Sequence, residues 1–143
     1  MKKKVVKPNR VIKIGVAAFV QNNQYEYLLT KKRKIARGAA WSLPGGLVRF
    51  GEDPDDAVER IVMKETGIRV HSVGLASTVP FSGVQYKDAW HIILFFIATA
   101  WAGDKIREAK YEIGWFKAKE FPSELLYPLP DVVSQLMVTS SLP

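Results

Sequence analysis

The sequence predicts one α/β domain, and three observations support that prediction. The chain has 143 residues, of which 48% are hydrophobic and 24% are charged, so it can bury one sizeable core. Alternating apolar residues predict more strands than helices. One amphipathic helix with clear start and stop signals lies between predicted strands. No repeat, low-complexity tract or Gly/Ser linker divides the chain.

The first strand is predicted at residues 10–20, where Ile12, Ile14 and Val16 share one alternating face. Polar residues and a second apolar run after it favour a hairpin. The remaining elements are predicted in this order: a turn at 21–24, a strand at 25–30, a basic loop at 31–38, a short strand at 41–46, the helix, strands at 72–79 and 89–100 with a Gly-containing loop between them, a strand at 111–117, an irregular stretch with a helical turn at 121–130, and a helix at 131–138.

The central helix is predicted to begin after Asp53 and to end at Gly67. Asp53 can cap free backbone N–H groups, and Pro54 suits the first helical position because it has no N–H to leave unsatisfied. Gly67 suits the left-handed residue that commonly ends a helix. Apolar residues at helical spacing predict one buried face, with Glu65 at its edge. These residues are Ala57, Val58, Ile61 and Val62.

The chain carries a net charge of +7, and a basic tail at residues 1–9 with Lys2, Lys3, Lys4 and Lys7 supplies much of it. A basic cleft would attract polyanionic substrates, whereas a solvated basic surface would need no ligand. Both interpretations stay open. No recognised nucleic-acid-binding motif accompanies the charge, so a nucleic-acid partner is not expected.

Composition also excludes several classes of protein. The sequence has no cysteine, which excludes disulfides, thiolate metal sites and cysteine nucleophiles. The longest apolar run, at 91–100, is too short to span a bilayer. The first residues lack the apolar stretch of a secretory signal. We therefore expect a cytoplasmic protein without a membrane partner.

A loop and the central helix carry the most specific motif. Its spacing closely resembles the Nudix box, G-x5-E-x7-R-E-U-x-E-E-x-G-U, in which U is a bulky apolar residue. The residues that fit at unbroken spacing are Gly46, Glu52, Arg60, Val62, Glu65, Gly67 and Ile68. The general resemblance to the Nudix family covers about residues 11–129.

This resemblance implies a fold, a cofactor and a set of site residues. The expected fold is the α/β Nudix fold, a mixed β-sheet sandwiched between α-helices, in a single domain at residues 10–140. The expected cofactor is Mg²⁺ or Mn²⁺, bound by the Gly46 carbonyl and the Glu65 carboxylate. Arg60 and Glu52 match catalytic-box positions that brace the loop against the helix through a charge-assisted hydrogen bond.

Ile61 and Lys64 depart from the pattern, because they stand where the family has glutamates that bind metal or activate water. The GDP-mannose hydrolases have similar departures, and their box resembles the run Arg60-Ile-Val-Met-Lys-Glu65. They attack the sugar carbon with a single Mg²⁺. Their Gln-His pair has no counterpart at 108–112, and the rest of the chain resembles MutT-related pyrophosphohydrolases. Attack at phosphorus and attack at the sugar carbon therefore both stay open.

Residues outside the box supply further candidates. His91, Glu108 and Glu112 lie where related hydrolases place a catalytic base or an additional acidic group. Each of the three would equally suit an ordinary strand-edge or surface position. Side chains that could contact the nucleotide are Lys32, Arg33, Arg37, Phe81, Tyr86 and Trp90.

These observations predict a Mg²⁺-dependent hydrolase of a nucleoside diphosphate linked to another moiety. The substrate would be a nucleoside triphosphate or a nucleotide sugar, and one product a nucleotide. The partner is then a small molecule, and a homodimer is compatible with the sequence. The alternative is a domain that binds a nucleotide or diphosphate as a sensor, since Ile61 and Lys64 replace family glutamates.

Overall fold

The computed structural model describes residues 10–32, 40–75, 81–86, 89–101 and 108–122, and describes the backbone alone at 32, 40, 72 and 81–86. Within these ranges the chain forms eight strands, one α-helix and one short 3-10 helix. The elements are β1 (Val11–Gln21), β2 (Tyr27–Lys32), β3 (Ala40–Ser42), β4 (Gly45–Leu47), α1 (Pro54–Thr66), β5 (Val70–Leu75), β6 (Phe81–Tyr86), β7 (Ala89–Ala100), β8 (Glu112–Phe116) and the 3-10 helix (Ala118–Glu120).

The strands form one mixed sheet with β1 and β7 at its centre. These two strands run parallel, in register from Val11 opposite Ala89 to Gln21 opposite Thr99. The other described pairings are antiparallel. The sheet order is β3-β2-β1-β7-β5, with β4 also pairing with β1, β6 with β7 and β8 with β2. The mixed sheet confirms the predicted fold class.

Apolar side chains cover both faces of this sheet, because successive residues of a strand point to opposite sides. On one face, Val16 and Val20 of β1 pack against Val62 of α1 in the larger core. On the other face, Phe19 packs with Phe95, their ring centroids 6.2 Å apart, in a smaller aromatic core. The sheet therefore has an α1 face and an opposite face.

The limits of α1 agree with the prediction at both ends. Pro54 occupies the first turn, and Gly67 adopts the left-handed conformation (φ 74°) while its N–H donates to the Met63 carbonyl at 2.9 Å. The side-chain cap predicted for Asp53 is wrong, because Asp53 makes no capping hydrogen bond through its carboxylate. The carboxylate of Asp55 instead accepts the neighbouring Asp56 N–H at 3.1 Å.

The predicted hairpin is present, but its second strand begins two residues later than expected. The Asn22 side chain accepts the N–H groups of Gln24 and Glu26, both at 2.9 Å, and Tyr25 takes a positive φ of 62°. These bonds lengthen the turn at the expense of the strand. The strand then continues through Lys31 and Lys32, which were predicted to lie in a loop.

Two further elements differ from the prediction. Residues 81–86 were expected in a Gly-containing loop but form β6, since the twelve-residue β7 offers its free edge for antiparallel pairing. Strand β5 begins at Val70, two residues early, because it pairs with the end of β7 at Ala100. The 3-10 helix after β8 was not predicted at all.

Part of the prediction lies outside the described residues. This applies to the basic tail at 1–9, to loop residues 33–38 and to the segments after residue 122, including the helix predicted at 131–138. In the described ranges, α1 packs on one face of the sheet. None of the described helices is long and apolar enough to cross a membrane.

Candidate active site

One arginine, Arg60, holds the start of the box. We call the group that it forms with Leu47, Arg49 and Glu52 the bracing end. Arg60 Nε donates to Glu52 Oε2 at 2.7 Å, and Arg60 Nη2 donates to Glu52 Oε1 at 2.9 Å. The same Nη2 donates to the Leu47 carbonyl at 3.0 Å. Glu52 also accepts the Arg49 N–H at 2.9 Å. The predicted brace between loop and helix is therefore present as a forked ion pair.

These contacts change the electrostatics of both side chains. The hydrogen bonds from Arg60 and then from the Arg49 N–H lower the pKa of Glu52 from 4.5 to about 2. The hydrogen bond to Glu52 raises the pKa of Arg60 above its ordinary value. Both groups are thus charged over the whole physiological range, and the loop is held without a buried, unpaired charge.

The other end of the box contains Glu65, the one glutamate of the family pattern that the helix retains, and we call Gly45, Ile61 and Glu65 the ligand end. Glu65 is only 8% exposed although it carries a carboxylate. Its Oε1 accepts the Gly45 N–H at 3.4 Å, and its backbone carbonyl accepts the Tyr111 N–H at 3.2 Å. The Glu65 side chain therefore lies at the seam between α1 and β4.

Pairing between β1 and β4 decides which glycine carbonyl faces Glu65. Opposed residues of an antiparallel pair alternate between hydrogen-bonded and non-hydrogen-bonded positions. Pairs 18/44 and 14/48 are bonded, because Ala18 N–H donates to the Pro44 carbonyl and Val48 N–H to the Ile14 carbonyl, both at 2.9 Å. The intervening pair of Val16 and Gly46 is then also a bonded pair.

It follows that the Gly46 carbonyl points at β1, and a Cβ built on Gly15 of β1 would lie 3.3 Å from that oxygen. Gly45 belongs to a non-bonded pair, so its N–H and carbonyl point away from β1 and toward the side where Glu65 accepts its N–H. The geometry favours Gly45 over the predicted Gly46 as a carbonyl donor beside Glu65.

Ile61 fills the space beside this glycine pair. Its Cδ1 would lie 3.2 Å from a Cβ on Gly46, and the residue is 5% exposed within the larger core. The position at which the family pattern has a glutamate is here a packing position. Lys64, the second departure, is exposed to solvent, so its ammonium need not enter the ligand end.

The structure separates His91 from Glu65. Because strand side chains alternate, His91 shares a face with Ile93 and Phe95, which belong to the aromatic core opposite α1. Its neighbour Ile92 is on the α1 face. An imidazole on the opposite side of the sheet is not placed to act as a base beside Glu65.

The two other predicted acids lie in or before β8, close in sequence to Tyr111, whose N–H donates to the Glu65 carbonyl at 3.2 Å. Glu112 is exposed and pairs with Lys31 of β2. Its neighbour Ile113 packs on the core beneath α1, so alternation places the Glu112 side chain on the other face of the sheet. Glu108 is exposed in the segment before β8. Among the described residues, neither joins Glu65 in a group of three potential metal ligands within 4.8 Å of one another.

A cluster of that kind does occur at the start of α1, formed by Asp53, Asp55 and Asp56. All three residues are exposed. Carboxylates in the first turn stabilise a helix through its dipole, which is reason enough for their presence. They are not part of the ligand end.

The predicted nucleotide contacts are only partly described. Trp90 is 47% exposed on β7, and the backbones of Phe81, Tyr86 and Lys32 lie in strands. Arg33 and Arg37 lie outside the described residues. The placement of Trp90 is informative because it belongs to a surface that sequence reasoning missed.

That surface is an apolar patch formed by Ile12, Ile14, Trp90 and Ile92 on the α1 face. Ile12 pairs with Trp90 and Ile14 with Ile92, and all four continue the face that Val16 begins beneath α1. Ile12 is 70% and Ile14 39% exposed. Alternation alone predicted that Ile12 and Ile14 share a face with Val16, but only the position of α1 reveals that they lie beyond its cover.

Comparison with known proteins identifies the class to which this fold and site belong. The NUDIX domain family matches residues 11–136. The chain belongs to the Nudix family, as the box predicted.

Curated relatives of the chain include MutT-type proteins. An 8-oxo-dGTP diphosphatase from Proteus vulgaris is 29% identical over 94 residues, which cover 64% of this chain and 81% of that protein. MutT4 from Mycobacterium tuberculosis (strain CDC 1551 / Oshkosh) is 28% identical over 92 residues, 61% of this chain. That match spans 36% of the length of MutT4.

Solved structures show the same fold. A NUDIX hydrolase from Nitrosomonas europaea superposes with a TM-score of 0.73 at 18% identity, covering 90% of this chain and 89% of its own. A MutT NUDIX hydrolase from Burkholderia pseudomallei gives a TM-score of 0.71 at 22% identity, covering 87% and 98%. At these identities the structural similarity establishes the fold alone.

Proposed function

We propose that this protein is a divalent-metal-dependent hydrolase of a nucleoside diphosphate linked to another moiety. One observation carries the proposal: the Glu65 carboxylate is held at the seam between α1 and β4, facing Gly45, while Arg60 fixes the loop between them. This arrangement puts a carboxylate and a backbone carbonyl on the same side of a braced loop. Both are oxygen donors of the type that Mg²⁺ and Mn²⁺ accept.

The donor set fits a metal with few protein ligands. Glu65 and the Gly45 carbonyl would hold Mg²⁺ or Mn²⁺, and substrate phosphate oxygens and water would complete its coordination. When bound, the ion neutralises charge on the diphosphate. Ile61 offers no oxygen, and Lys64 is exposed. The protein therefore supplies fewer donors than the full family pattern, and binding should be weak in the absence of substrate.

The apolar patch supplies a surface for the nucleoside. It begins at Ile14, two residues from Val16, which pairs with Gly46 beside the ligand end. A nucleobase presents a flat, largely apolar face that packs well on an exposed indole such as that of Trp90. A diphosphate at the ligand end and a base on the patch would lie on the same face of the sheet.

Attack at phosphorus is the reaction that we favour. The Proteus vulgaris relative is named an 8-oxo-dGTP diphosphatase, and the resemblance to MutT-related proteins extends along most of the chain, whereas only the helix resembles the GDP-mannose hydrolases. A nucleoside triphosphate is then the expected substrate class, oxidised purine nucleotides included. Water would add to phosphorus, the P–O bond to the leaving group would break, and a nucleoside monophosphate and pyrophosphate would be released.

The decisive experiment is a screen of nucleoside triphosphates, oxidised nucleoside triphosphates and nucleotide sugars with Mg²⁺ in oxygen-18 water. We expect turnover of a triphosphate with label in a phosphate-containing product. Label confined to a released sugar would replace attack at phosphorus by attack at carbon. The Glu65→Gln variant, prepared identically, serves as the control for contaminating hydrolases.

A sensor function is the second candidate, and the buried Ile61 favours it. A binding module needs the braced loop and the apolar patch but not an activated water. Saturable, metal-dependent nucleotide binding together with no turnover of any compound in the screen would establish the sensor and exclude the hydrolase.

A further inference from the structure

A cleft lies beside α1, and apart from Arg60 its lining consists of residues outside the candidate active site. It has a volume of about 440 Å³ and lies between one side of the helix, the start of β5 and the residue that follows β7. Its walls include Arg60 and Met63 of α1, Arg69 and His71 near the start of β5, and Trp101. We call it the Trp101 cleft.

Trp101 provides a flat surface that is already fixed in place. Its backbone N–H donates to the Arg69 carbonyl at 2.9 Å, and its ring centroid lies 4.7 Å from that of His71 with the planes at 53°. The side chain is nonetheless 52% exposed. A large aromatic ring held by its backbone and by a neighbouring ring can stack on a planar ligand with little loss of conformational entropy.

Two guanidinium groups in the same cleft have unused hydrogen-bond donors. Arg69 is exposed, and its side chain forms no hydrogen bond or ion pair within the described part of the chain. A guanidinium has five N–H donors. Arg60 uses Nε and Nη2 at the bracing end, and its Nη1 has no hydrogen-bond partner among the described residues. Among the described residues of the lining, Glu59 is the one carboxylate, so cationic side chains outnumber anionic ones there.

We propose that the Trp101 cleft is a second binding site, which takes a nucleoside monophosphate. The base would stack on Trp101, and the phosphate would accept hydrogen bonds from Arg69 and from Nη1 of Arg60, because guanidinium groups match phosphate oxygens in pairs. Neither contact requires a metal ion or the ligand end.

Arg60 makes this site a regulatory one. The same guanidinium that would contact the phosphate holds Glu52 and the Leu47 carbonyl through its other nitrogens. A ligand in the cleft therefore changes how the box loop is held. This regulatory step rests on the proposed function, since a nucleoside monophosphate is the expected product of a nucleotide pyrophosphohydrolase and would act back on the loop that formed it.

The test is an NMR titration of the full chain with guanosine monophosphate, with EDTA present to remove metal ions. Each of the four tryptophans contributes one indole N–H signal, and a Trp101→Phe variant identifies the relevant one. We expect a saturable shift of the Trp101 signal. Arg69→Ala should weaken binding about tenfold, because it removes a charge-assisted hydrogen bond. Arg10→Ala removes the same charge from an exposed strand start and should leave binding unchanged.

Inorganic phosphate is the matched probe without a base, and we expect it to bind at least about tenfold more weakly. Equal binding of both probes would overturn the proposal, because the cleft would then be a general anion site. Shifts confined to Trp90 would also overturn it, by placing the ligand on the apolar patch. The regulatory step predicts that the amide signals of Arg49 and Glu52 move in the wild type, and that Arg69→Ala needs about tenfold more ligand for the same shifts. Unchanged amides in the wild type would refute that step. EDTA separates this result from the hydrolase proposal, which the substrate screen tests by turnover.

Discussion

The two ends of the Nudix box differ in how they are held and in what chemistry they offer. At the bracing end, Arg60 donates three hydrogen bonds, two to Glu52 and one to the Leu47 carbonyl. At the ligand end, one carboxylate faces one backbone amide, and Ile61 packs where the family pattern has a second glutamate. The residues that brace the loop of this protein are therefore separate from the residues of the ligand end.

The largest effect is expected at the ligand end, for Glu65→Gln. Loss of the carboxylate charge should lower turnover about 1,000-fold, corresponding to ~4 kcal/mol, because a metal ion contributes several kcal/mol to such a transition state. Calorimetric titration with Mn²⁺ in the presence of nucleotide should show a parallel loss of metal affinity. Glu120→Gln, at an exposed position of the 3-10 helix, is the control. Unchanged metal affinity in Glu65→Gln would remove Glu65 from the ligand set.

The adjacent glycines provide a comparison within the ligand end. A Cβ on Gly45 would lie 2.6 Å from the Val16 carbonyl oxygen, whereas a Cβ on Gly46 would meet the flexible tip of Ile61 at 3.2 Å. Gly45→Ala should therefore lower the free energy of unfolding by about 3 kcal/mol and Gly46→Ala by about 1 kcal/mol or less. Urea denaturation measures both values. Equal losses would contradict the strand register on which the choice of Gly45 depends.

Ile61→Glu places a glutamate at the position of the ligand end where the family pattern has one. Without metal, the new carboxylate should lower the free energy of unfolding by about 2 kcal/mol, because the side chain at this position is buried. Mn²⁺ should then raise the melting temperature of this variant more than that of the wild type, since the carboxylate gains a cation. Ile61→Met keeps the apolar volume and should show no such gain. A metal-independent melting temperature in Ile61→Glu would mean that residue 61 does not face the metal.

The bracing end should be sensitive to acid rather than to metal. The pKa of Glu52 is about 2 in the folded protein, against an ordinary value of 4.5. The folded state therefore binds fewer protons than the unfolded state between these values. The stabilisation from the pair with Arg60 is complete above pH 4.5 and is lost as the pH falls toward about 2.

Glu52→Gln should abolish that part of the acid response and should have a smaller effect on metal affinity than Glu65→Gln. The measurement is the free energy of unfolding of wild type and variant from neutral pH to about pH 2. The two curves should converge as the pH falls. A constant difference between them would show that the ion pair does not govern the pH dependence.

Sequence predicted those parts of the fold that are determined locally. Alternation in residues 10–20 assigned Val16 to the correct face, and Pro54 and Gly67 marked the ends of α1 because their effects are confined to one helical turn. The strand at 81–86 was missed, since it is stabilised by pairing with β7 rather than by its own composition. The glycine in that segment favours a loop as long as the pairing of the segment with β7 is unknown.

In the candidate site, too, the sequence predicted the contacts that a motif indicates but not those that depend on strand register. The resemblance to the Nudix box predicted the contact between Glu52 and Arg60, because the two residues match the positions that brace the loop against the helix in that family. The choice between Gly45 and Gly46 depends on which pairs of β1 and β4 are hydrogen-bonded, which no local pattern encodes. His91 suited a base by residue type, but its position on the opposite face follows from its register with Lys13 of β1.

The parallel pairing of β1 with β7 has a consequence for how the chain folds. Every one of its residue pairs joins positions 78 apart, from Val11 with Ala89 to Gln21 with Thr99. A loop of that length must close before the centre of the sheet exists, and non-local closure of this kind slows folding. During synthesis, β1 can pair early with β2 and β4, but it can pair with β7 only after residues 89–99 have been made. Until then, the edge of β1 that faces β7 remains unpaired.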